Sequence, residues 1–286
     1  MAHIIDGKAI AAQVRAEAAQ ETARLKGKGI VPGLAVVLVG NDPASRIYVN
    51  NKKKACAEAG IRSEEYLLPE TSGQRELEER IRTLNRKQDV NGILVQLPLP
   101  RGINEADVLE TVDPEKDVDA FHPFNVGRIL IGSSRVLPCT PAGILELLHR
   151  ENIPVSGKRC VVLGRSNIVG KPTAMLLLRE NGTVTICHSK TEHLREICRE
   201  ADILVAAVGQ PKFVTADMVK PGAVVIDVGM DRDENGKLCG DVDFQAVVSV
   251  ASHITPVPGG VGPMTIAMLL KNTVAAAERQ NGICGA

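Results

Sequence analysis

Short runs of apolar residues alternate along this chain with longer stretches in which apolar residues recur every three or four positions. Runs of the first kind are typical of buried strands, and stretches of the second kind are typical of helices with one buried face. In the first half of the chain, this pattern predicts strands at residues 34–39 and 92–97 and helices at residues 45–59 and 76–85. In the second half, it predicts four strands with helices between them, at residues 159–163, 183–187, 203–207 and 223–228. The alternation predicts an α/β protein built from parallel β-α-β units.

A segment rich in Asp, Pro and Gly, residues 113–141, separates the two halves. We therefore expect two α/β domains that flank a cleft, residues 1–138 and residues 139–263, of which the second is Rossmann-like. The apolar pattern predicts a last helix at residues 264–280. We expect residues 264–286 to return to the first domain, because that crossing would place the preceding loop in the cleft, where ligands commonly bind.

The charge balance and the aromatic content argue against two classes of partner. The 286 residues include 34 Lys and Arg and 34 Asp and Glu, so the chain has no net field that would attract nucleic acid or an anionic membrane. The chain has only four Phe, two Tyr and no Trp, so it has few aromatic side chains on which the bases of single-stranded nucleic acid could stack. We expect no nucleic acid and no membrane among its partners.

The cysteines and the first residues indicate the compartment. The seven cysteines form no CxxC pair and no spacing typical of metal ligands, and their odd number argues against a disulfide framework. The opening Met1–Asp6 lacks a basic region followed by an apolar core, and no apolar run approaches the ~20 residues of a membrane span. We therefore expect a cytoplasmic protein without a metal site.

The most unusual stretch of the sequence is TPVPGGVGPMT, residues 255–265. It predicts a shaped loop, because proline stiffens the backbone and glycine removes the Cβ where a ligand approaches closely. Pro263 is well placed to start the helix that follows. A rigid turn without a ligand is the alternative. The residues that we predict to line the substrate cleft are Pro258, Gly259, Gly260 and Gly262.

A second loop, GRSNIVGKP at residues 164–172, stands between an apolar strand and an amphipathic helix. A dinucleotide fold needs such a tight turn, because backbone N–H groups at the start of the helix bind the pyrophosphate. The usual GxGxxG pattern is not met, since Ser166 and Val169 occupy the second and third glycine positions. The strand before the loop, the helix after it and the next strand, which ends at Cys187, favour a nucleotide site.

The residues after that next strand indicate which nucleotide is bound. Sites that prefer NAD usually place Asp or Glu here to bind the ribose 2′-hydroxyl. This chain has His188-Ser189-Lys190 instead, and Arg165 in the first loop, a local charge suited to a 2′-phosphate. We therefore predict NADP as the cofactor. The alternative is that these residues are solvated loop cations.

Tyr48 and Lys52 lie four residues apart in a predicted helix and therefore on one face of it. A lysine withdrawn from water has a lowered pKa suited to acid–base work, and a neighbouring tyrosine hydroxyl can hold or relay a proton. Gln96 ends the second predicted strand, where α/β folds present ligand groups, and its neutral amide could orient the lysine. The alternative is an exposed basic helix, because Lys53 and Lys54 adjoin.

The order of these motifs distinguishes the chain from short-chain dehydrogenases, which also contain Tyr-x-x-x-Lys. In those enzymes the pair follows the glycine loop within one domain, whereas here it precedes the loop by more than a hundred residues. This order favours a site built across two domains.

Two groups of carboxylates suggest metal binding, and the first of them could also suggest glycosidase chemistry. Asp117 and Asp119 are two residues apart, but no third ligand cluster accompanies them, so we favour one carboxylate that holds an amine-bearing ring. The segment from Asp231 resembles a calcium loop, but its twelfth position is Val242, where a bidentate Glu is required. We predict a hairpin turn at Asn235-Gly236 instead.

The motifs described above, in the order in which they occur, resemble those of the bifunctional methylenetetrahydrofolate dehydrogenase/methenyltetrahydrofolate cyclohydrolase family. The resemblance extends over nearly the whole sequence. The chain departs from the family in having Ala120 where a glycine often follows the second Asp. The matching motifs are Tyr48-Val49-x-x-Lys52, VQLPLP at 95–100, PEKDVD at 114–119, FNVG at 124–127, and the loops at 164–172 and 256–265.

The resemblance implies two reactions on one folate. The methylene carbon gives a hydride to NADP, and water then opens the methenyl cation to 10-formyltetrahydrofolate. The first domain would bind the folate and the second NADP, and the protein would be a homodimer formed through the cofactor domain. The implied roles are proton transfer for Lys52, support of the lysine for Tyr48 and Gln96, and pterin binding for Asp119. The implied cofactor residues are Gly164, Arg165, Ser166 and Ser189, with Met230 near the nicotinamide.

Two other functions remain open from the sequence. One is an NADP-dependent dehydrogenase that has lost the cyclohydrolase step, against which the intact Tyr48, Lys52 and Gln96 argue. The other is a nucleotide-sensing module without turnover, which would bind NADP tightly but catalyse no folate-dependent reduction.

We predict that Arg165→Ala lowers the preference for NADP over NAD. A charge-assisted hydrogen bond is worth ~1.5–3 kcal/mol, so the ratio of kcat/KM for NADP to kcat/KM for NAD should fall by about 10- to 100-fold. Steady-state kinetics with both cofactors measures this ratio. An unchanged ratio would contradict the assignment of Arg165 to the 2′-phosphate.

Overall fold

The computed structural model describes residues 1–283, apart from the side chain of Ala44. The strands, in chain order, are β1 (His3–Ile4), β2 (Gly33–Val39), β3 (Arg62–Leu68), β4 (Gly92–Val95), β5 (Arg159–Leu163), β6 (Thr183–Cys187), β7 (Ile203–Ala206), β8 (Val224–Asp227), β9 (Asp231–Arg232), β10 (Leu238–Cys239) and β11 (His253–Ile254). The helices are α1 (Gly7–Lys26), α2 (Pro43–Glu58), α3 (Gln74–Arg86), α4 (Glu105–Thr111), α5 (Pro123–Leu130), α6 (Cys139–Arg150), α7 (Gly170–Arg179), α8 (Leu194–Arg199), α9 (Phe244–Val247) and α10 (Val261–Gln280), with a short 3-10 helix at Ala216–Met218.

The chain divides into two compact units, each with one main parallel sheet. The six-strand unit contains residues 1–11 and 140–265, and the three-strand unit contains residues 12–139 and residues 266–283. The sequence-based assignment put residues 1–11 with residues 12–138. They lie in the six-strand unit because β1 pairs in parallel with β11, and a two-residue strand is too short for an apolar pattern to reveal.

The sheet of the three-strand unit has the order β3-β2-β4, with all strands parallel. Every residue of β2 is buried, which explains its unbroken apolar sequence GLAVVLV. Helix α3 buries Leu77, Ile81 and Leu84, which recur at helical spacing and join the core cluster formed with the strands. The predicted strands and helices of this unit are therefore present, with ends that differ by a few residues.

Strand β3 is an element that the apolar pattern did not predict, because its sequence RSEEYLL is charged. It lies at the edge of the sheet and most of its residues are only half-buried. Its charges find partners there: Glu65 pairs with Arg46 at 2.5 Å, and Glu64 accepts a hydrogen bond from the Tyr66 hydroxyl. An edge strand tolerates such residues because one side of it faces water.

Helix α2 begins at Pro43, two residues before the predicted start. The Asp42 carboxylate accepts a hydrogen bond of 2.8 Å from the backbone N–H of Ser45, and a proline suits the first position of a helix. The buried face of the helix includes Val49 and Lys52, whereas Lys53 and Lys54 are exposed. The alternative of a wholly exposed basic helix is therefore wrong for Lys52.

The sheet of the six-strand unit has the order β1-β11-β8-β7-β5-β6, and all of its strands are parallel. After β5 the chain forms β6 on one side, then returns to form β7 on the other side of β5. This reversal makes a topological switch point between β5 and β7. In open α/β sheets, ligands bind at the carboxyl ends of the strands beside such a point.

Two boundaries near the predicted site differ from expectation. Strand β4 ends at Val95 rather than 97, but the N–H of Gln96 still donates to the carbonyl of Val37, at 2.9 Å. Helix α10 begins at Val261, so the last five of the eleven residues of the proline–glycine segment belong to the helix rather than to a loop. Pro263 fits in the first turn of that helix because the first N–H groups of a helix have no intrahelical partner.

The hairpin predicted at Asn235-Gly236 is confirmed by the antiparallel pairing of β9 with β10.

The structure also bears on membranes, metals and cysteines. No helix within residues 1–283 combines the length and the apolar character needed to cross a bilayer. In the same residues, no group of three or more His, Cys, Asp or Glu side chains is arranged to hold a metal ion. The cysteines in this range are free thiols, at positions 56, 139, 160, 187, 198 and 239.

Candidate active site

Lys52 is the centre of a polar cluster in the three-strand unit. Only 8% of the residue is exposed, and its Nζ donates a hydrogen bond of 2.9 Å to Oε1 of Gln96. The Nε2 of Gln96 donates in turn to the carbonyl of Leu97, at 2.7 Å, which turns the amide oxygen toward the lysine. Because the amide is neutral, it orients the amine without stabilising the charged form as a carboxylate would.

Burial lowers the pKa of Lys52, and attraction by Asp119, Cys139 and Cys56 opposes this effect without cancelling it. Tyr48 lies one turn earlier on α2 and is half-buried, and burial raises the pKa of its hydroxyl. The lysine is therefore more easily neutral than in water, while the tyrosine keeps its proton. This pairing provides a proton acceptor beside a hydrogen-bond donor.

Cys139 and Asn272 belong to this cluster, although the sequence did not indicate them. The buried Cys139 thiol interacts with Asp119, and burial raises the pKa of the thiol. Asn272, on α10, donates hydrogen bonds of 2.8 Å to the carbonyls of Val118 and Leu137. These bonds hold the backbone just before Asp119 and just before Cys139. A lone asparagine in the apolar run of α10 was the available signal, because a buried amide needs partners.

Asp117 and Asp119 have different environments. Asp117 is buried and its carboxylate accepts hydrogen bonds of 2.9 Å from the N–H of His122 and from Nδ2 of Asn125, which closes the loop that carries Asp119. Burial raises the pKa of Asp117. Asp119 is half-buried and lies close enough to Lys52 to attract its charge. Ala120, where the family often has glycine, is buried with a φ of 54°, a conformation that glycine adopts with less strain.

The predicted nucleotide loop follows β5 at the switch point. Gly164 has a φ of 113°, and a Cβ on it would lie 2.1 Å from the carbonyl oxygen of Ala207, the residue after β7. A Cβ on Gly170 would lie 2.2 Å from the carbonyl oxygen of Gly164. The Ser166 Oγ accepts hydrogen bonds of 3.2 Å from the N–H groups of Val169 and Gly170 at the start of α7. The serine thus stabilises the turn at the position where the usual motif has glycine.

Arg165 and Ser189 lie at the same edge of the sheet, because β5 and β6 are adjacent and Leu163 is in register with Cys187. Both side chains are exposed. The turn after β6 is held by Nδ1 of His188, which accepts a hydrogen bond of 3.1 Å from the N–H of Lys190. A glycine cradle, a capped helix start and nearby cations fit a dinucleotide that carries a 2′-phosphate.

The proline–glycine segment packs tightly on its own unit. A Cβ on Gly7, at the start of α1, would lie 1.9 Å from the carbonyl oxygen of Gly260. A Cβ on Gly260 would lie 2.7 Å from the carbonyl oxygen of Pro256. Over Gly262 lies the methyl group of the half-exposed Met230, 3.1 Å from the position of a Cβ. Packing therefore explains the glycine at position 260, while the role of Pro258, Gly259, Gly260 and Gly262 in lining a substrate site stays a prediction.

These features together define a two-unit α/β protein with a dinucleotide-type loop on one unit and a buried, oriented lysine on the other. The family model of the tetrahydrofolate dehydrogenase/cyclohydrolase catalytic domain matches residues 5–119. The model of the tetrahydrofolate dehydrogenase/cyclohydrolase NAD(P)-binding domain matches residues 138–281. The chain belongs to the tetrahydrofolate dehydrogenase/cyclohydrolase family.

Known relatives and solved structures resemble the chain over nearly its whole length. It is 60% identical to the bifunctional protein FolD of Acetivibrio thermocellus, over 98% of both chains. The crystal structure of the FolD methylenetetrahydrofolate dehydrogenase/cyclohydrolase of Campylobacter jejuni is 50% identical and superimposes with a TM-score of 0.95, covering 98% of this chain and 99% of that one. The FolD of Trypanosoma brucei, solved with NADP and an inhibitor, is 42% identical with a TM-score of 0.93, covering 97% and 98%.

We predict that Gly7→Ala destabilises the protein by about 1–3 kcal/mol, because the new methyl group must displace the Gly260 backbone. The thermal unfolding midpoint should fall by several degrees.

Gly127→Ala is a matched control, because a Cβ at that position on α5 meets nothing within 4 Å. Its midpoint should stay the same or rise slightly, since alanine favours a helix over glycine. Equal midpoints for Gly7→Ala and Gly127→Ala would contradict the close packing of α1 on the proline–glycine segment.

Proposed function

We propose that this protein oxidises 5,10-methylenetetrahydrofolate with NADP and hydrolyses the resulting 5,10-methenyltetrahydrofolate to 10-formyltetrahydrofolate, with Lys52 as the proton-transfer group of the hydrolysis. The observation that carries the proposal is the burial of Lys52 beside a neutral amide, in a chain about 60% identical to bifunctional FolD proteins. A sensing module has no need of such a group.

In the oxidation, the methylene carbon between N5 and N10 of the folate loses a hydride, which NADP accepts when bound. The positive charge that remains is shared by the two nitrogens, so this step needs no protein acid or base. What the chain supplies is binding and orientation. Gly164 and Ser166 shape the turn for the phosphates, Arg165 and Ser189 extend from the same sheet edge, and the exposed Met230 is proposed to contact the nicotinamide.

In the hydrolysis, water adds to the methenyl carbon and must lose a proton. Neutral Lys52 can accept it, because burial lowers the lysine pKa and Gln96 fixes the direction of Nζ. The bond from the carbon to N5 then breaks while the hydroxyl on that carbon loses its proton to solvent and becomes the formyl C=O. N5 takes up the proton from the lysine, and the formyl group stays on N10. Tyr48, on the same helix, is proposed to support the amine, and Asp119 is proposed to bind the amino group of the pterin.

We predict that Lys52→Met reduces cyclohydrolase activity by about 100-fold or more, while NADP reduction survives in part. Methionine keeps much of the buried volume but cannot accept a proton. The loss of methenyltetrahydrofolate, corrected for its spontaneous hydrolysis, measures the first activity, and NADPH formation from methylenetetrahydrofolate measures the second.

Lys53→Met is the matched control, because Lys53 is exposed on the next position of α2 and should leave both activities unchanged. Equal retention of both activities in Lys52→Met would contradict the proton-transfer role. A wild-type protein that reduces neither NADP nor NAD with the folate would contradict the enzymatic function itself and favour the binding module.

We also propose a homodimer formed through the six-strand unit, in the cytoplasm. Strand β6 is an edge of the sheet and exposes Thr183 and Thr185, and an open edge can pair with a second copy. The free thiols of the described residues fit a reducing compartment. Sedimentation velocity at micromolar concentration should show a dimer. A monomer at those concentrations would contradict the proposed assembly.

A further inference from the structure

Asp241 is a fully buried carboxylate that the two reactions do not use. It follows the β9–β10 hairpin in the six-strand unit. Its Oδ2 accepts a hydrogen bond of 2.7 Å from the N–H of Val208, and its Oδ1 accepts one of 2.8 Å from the N–H of Gln210. One side chain therefore holds both ends of the turn at residues 208–210, which directly follows β7.

This turn stands on one side of the switch point, and the nucleotide loop stands on the other. The N–H of Ala207 donates to the carbonyl of Leu163 at 2.8 Å, and the carbonyl oxygen of Ala207 is the atom against which Gly164 packs. The N–H and C=O of a trans peptide point in opposite directions. When the N–H of Val208 points to Asp241, the carbonyl of Ala207 is thereby turned away from Asp241, and this is the carbonyl that meets Gly164.

A second buried carboxylate fixes the position of Asp241. Asp227, the last residue of β8, accepts hydrogen bonds of 2.9 Å from the N–H groups of Asp241 and Gly229, and one of 3.0 Å from the N–H of Val242. A Cβ on Gly240 would lie 2.0 Å from Oδ2 of Asp227, so only glycine lets the segment approach this carboxylate so closely. The two carboxylates link the turns that follow β7 and β8, and the second turn leads to Met230.

We propose that Asp241 is a positioning residue for NADP: it orients the peptide groups of residues 207–210 so that they complete the nucleotide site opposite Gly164. The proposal rests on NADP as the cofactor. If the role of Asp241 were purely structural, the residue would only have to keep the turn closed. Its replacement would then have no particular effect on the affinity for NADP. Asp227 and Asp231 are the other carboxylates of this region, and burial together with the neighbouring Asp241 raises the pKa of Asp231.

The test compares Asp241→Asn with Asp243→Asn. In Asp241→Asn, an NH₂ group replaces one of the two acceptors, so one backbone N–H loses its partner with little change in volume. We expect the Kd for NADP, measured by calorimetry, to rise about tenfold or more. Amide hydrogen exchange should become faster at Val208 or Gln210, whichever N–H loses its acceptor. Cyclohydrolase activity on methenyltetrahydrofolate without NADP should stay within about twofold of wild type.

Asp243 is the control, because it caps α9 by accepting from the N–H of Ala246 and asparagine caps as well as aspartate. Asp243→Asn should leave the Kd for NADP and both exchange rates unchanged. An unchanged Kd and unchanged exchange in Asp241→Asn would overturn the proposal. A wild-type protein that does not bind NADP would instead overturn the cofactor assignment.

Loss of cyclohydrolase activity in Asp241→Asn would indicate unfolding, and a second variant then decides. Gln210→Pro removes one of the two N–H groups that donate to Asp241 and changes an exposed residue. A higher Kd for NADP with normal cyclohydrolase activity supports the positioning role. An unchanged Kd in this variant overturns it.

Discussion

The burial of one amine beside a neutral amide is the constraint on which the chemistry of this protein depends. Moving a charged ammonium group out of water costs several kcal/mol, and the protein meets that cost by favouring the neutral form. A carboxylate in direct contact would stabilise the cation and remove the base. Gln96 orients Lys52 without that effect, while the half-buried Asp119 supplies only partial attraction.

Several elements must end at particular residues for this arrangement to form. The Asp42 carboxylate caps the start of α2, and Lys52 lies on the buried face of that helix. Strand β4 ends one residue before Gln96, whose backbone still bonds to β2. Asn272 holds the backbone beside Asp119 from the far end of the sequence. The acid–base cluster is therefore assembled from several segments that are distant in sequence and are held by hydrogen bonds.

The sequence predicted what depends on local patterns. Strands with continuous apolar runs were found to within about two residues, and the hairpin at Asn235-Gly236 was confirmed because its turn chemistry is local. Strand β3 could not be predicted, because the partners of its charges, such as Arg46 for Glu65, lie elsewhere in the chain. Gly7 and Asp241 were missed for the same reason: each matters through a backbone atom far away in sequence. The burial of Lys52 among three consecutive lysines was likewise decided by tertiary packing.

The two glycine-rich loops show why a distinctive motif is not by itself a map of ligand contacts. In the proline–glycine segment, Gly260 leaves no room for a Cβ because of the protein's own backbone, and Gly262 is covered by Met230. In the nucleotide loop, neighbouring carbonyl groups likewise leave no room for a Cβ on Gly164 or Gly170. Ser166, which stands where the usual motif has glycine, stabilises the turn by accepting hydrogen bonds with its hydroxyl group. In both loops, glycine is needed because it lets two segments of the protein's own backbone approach each other closely. The surface that a ligand contacts lies on the other side of each loop, and its shape depends also on groups such as Asp241, which belong to no loop motif.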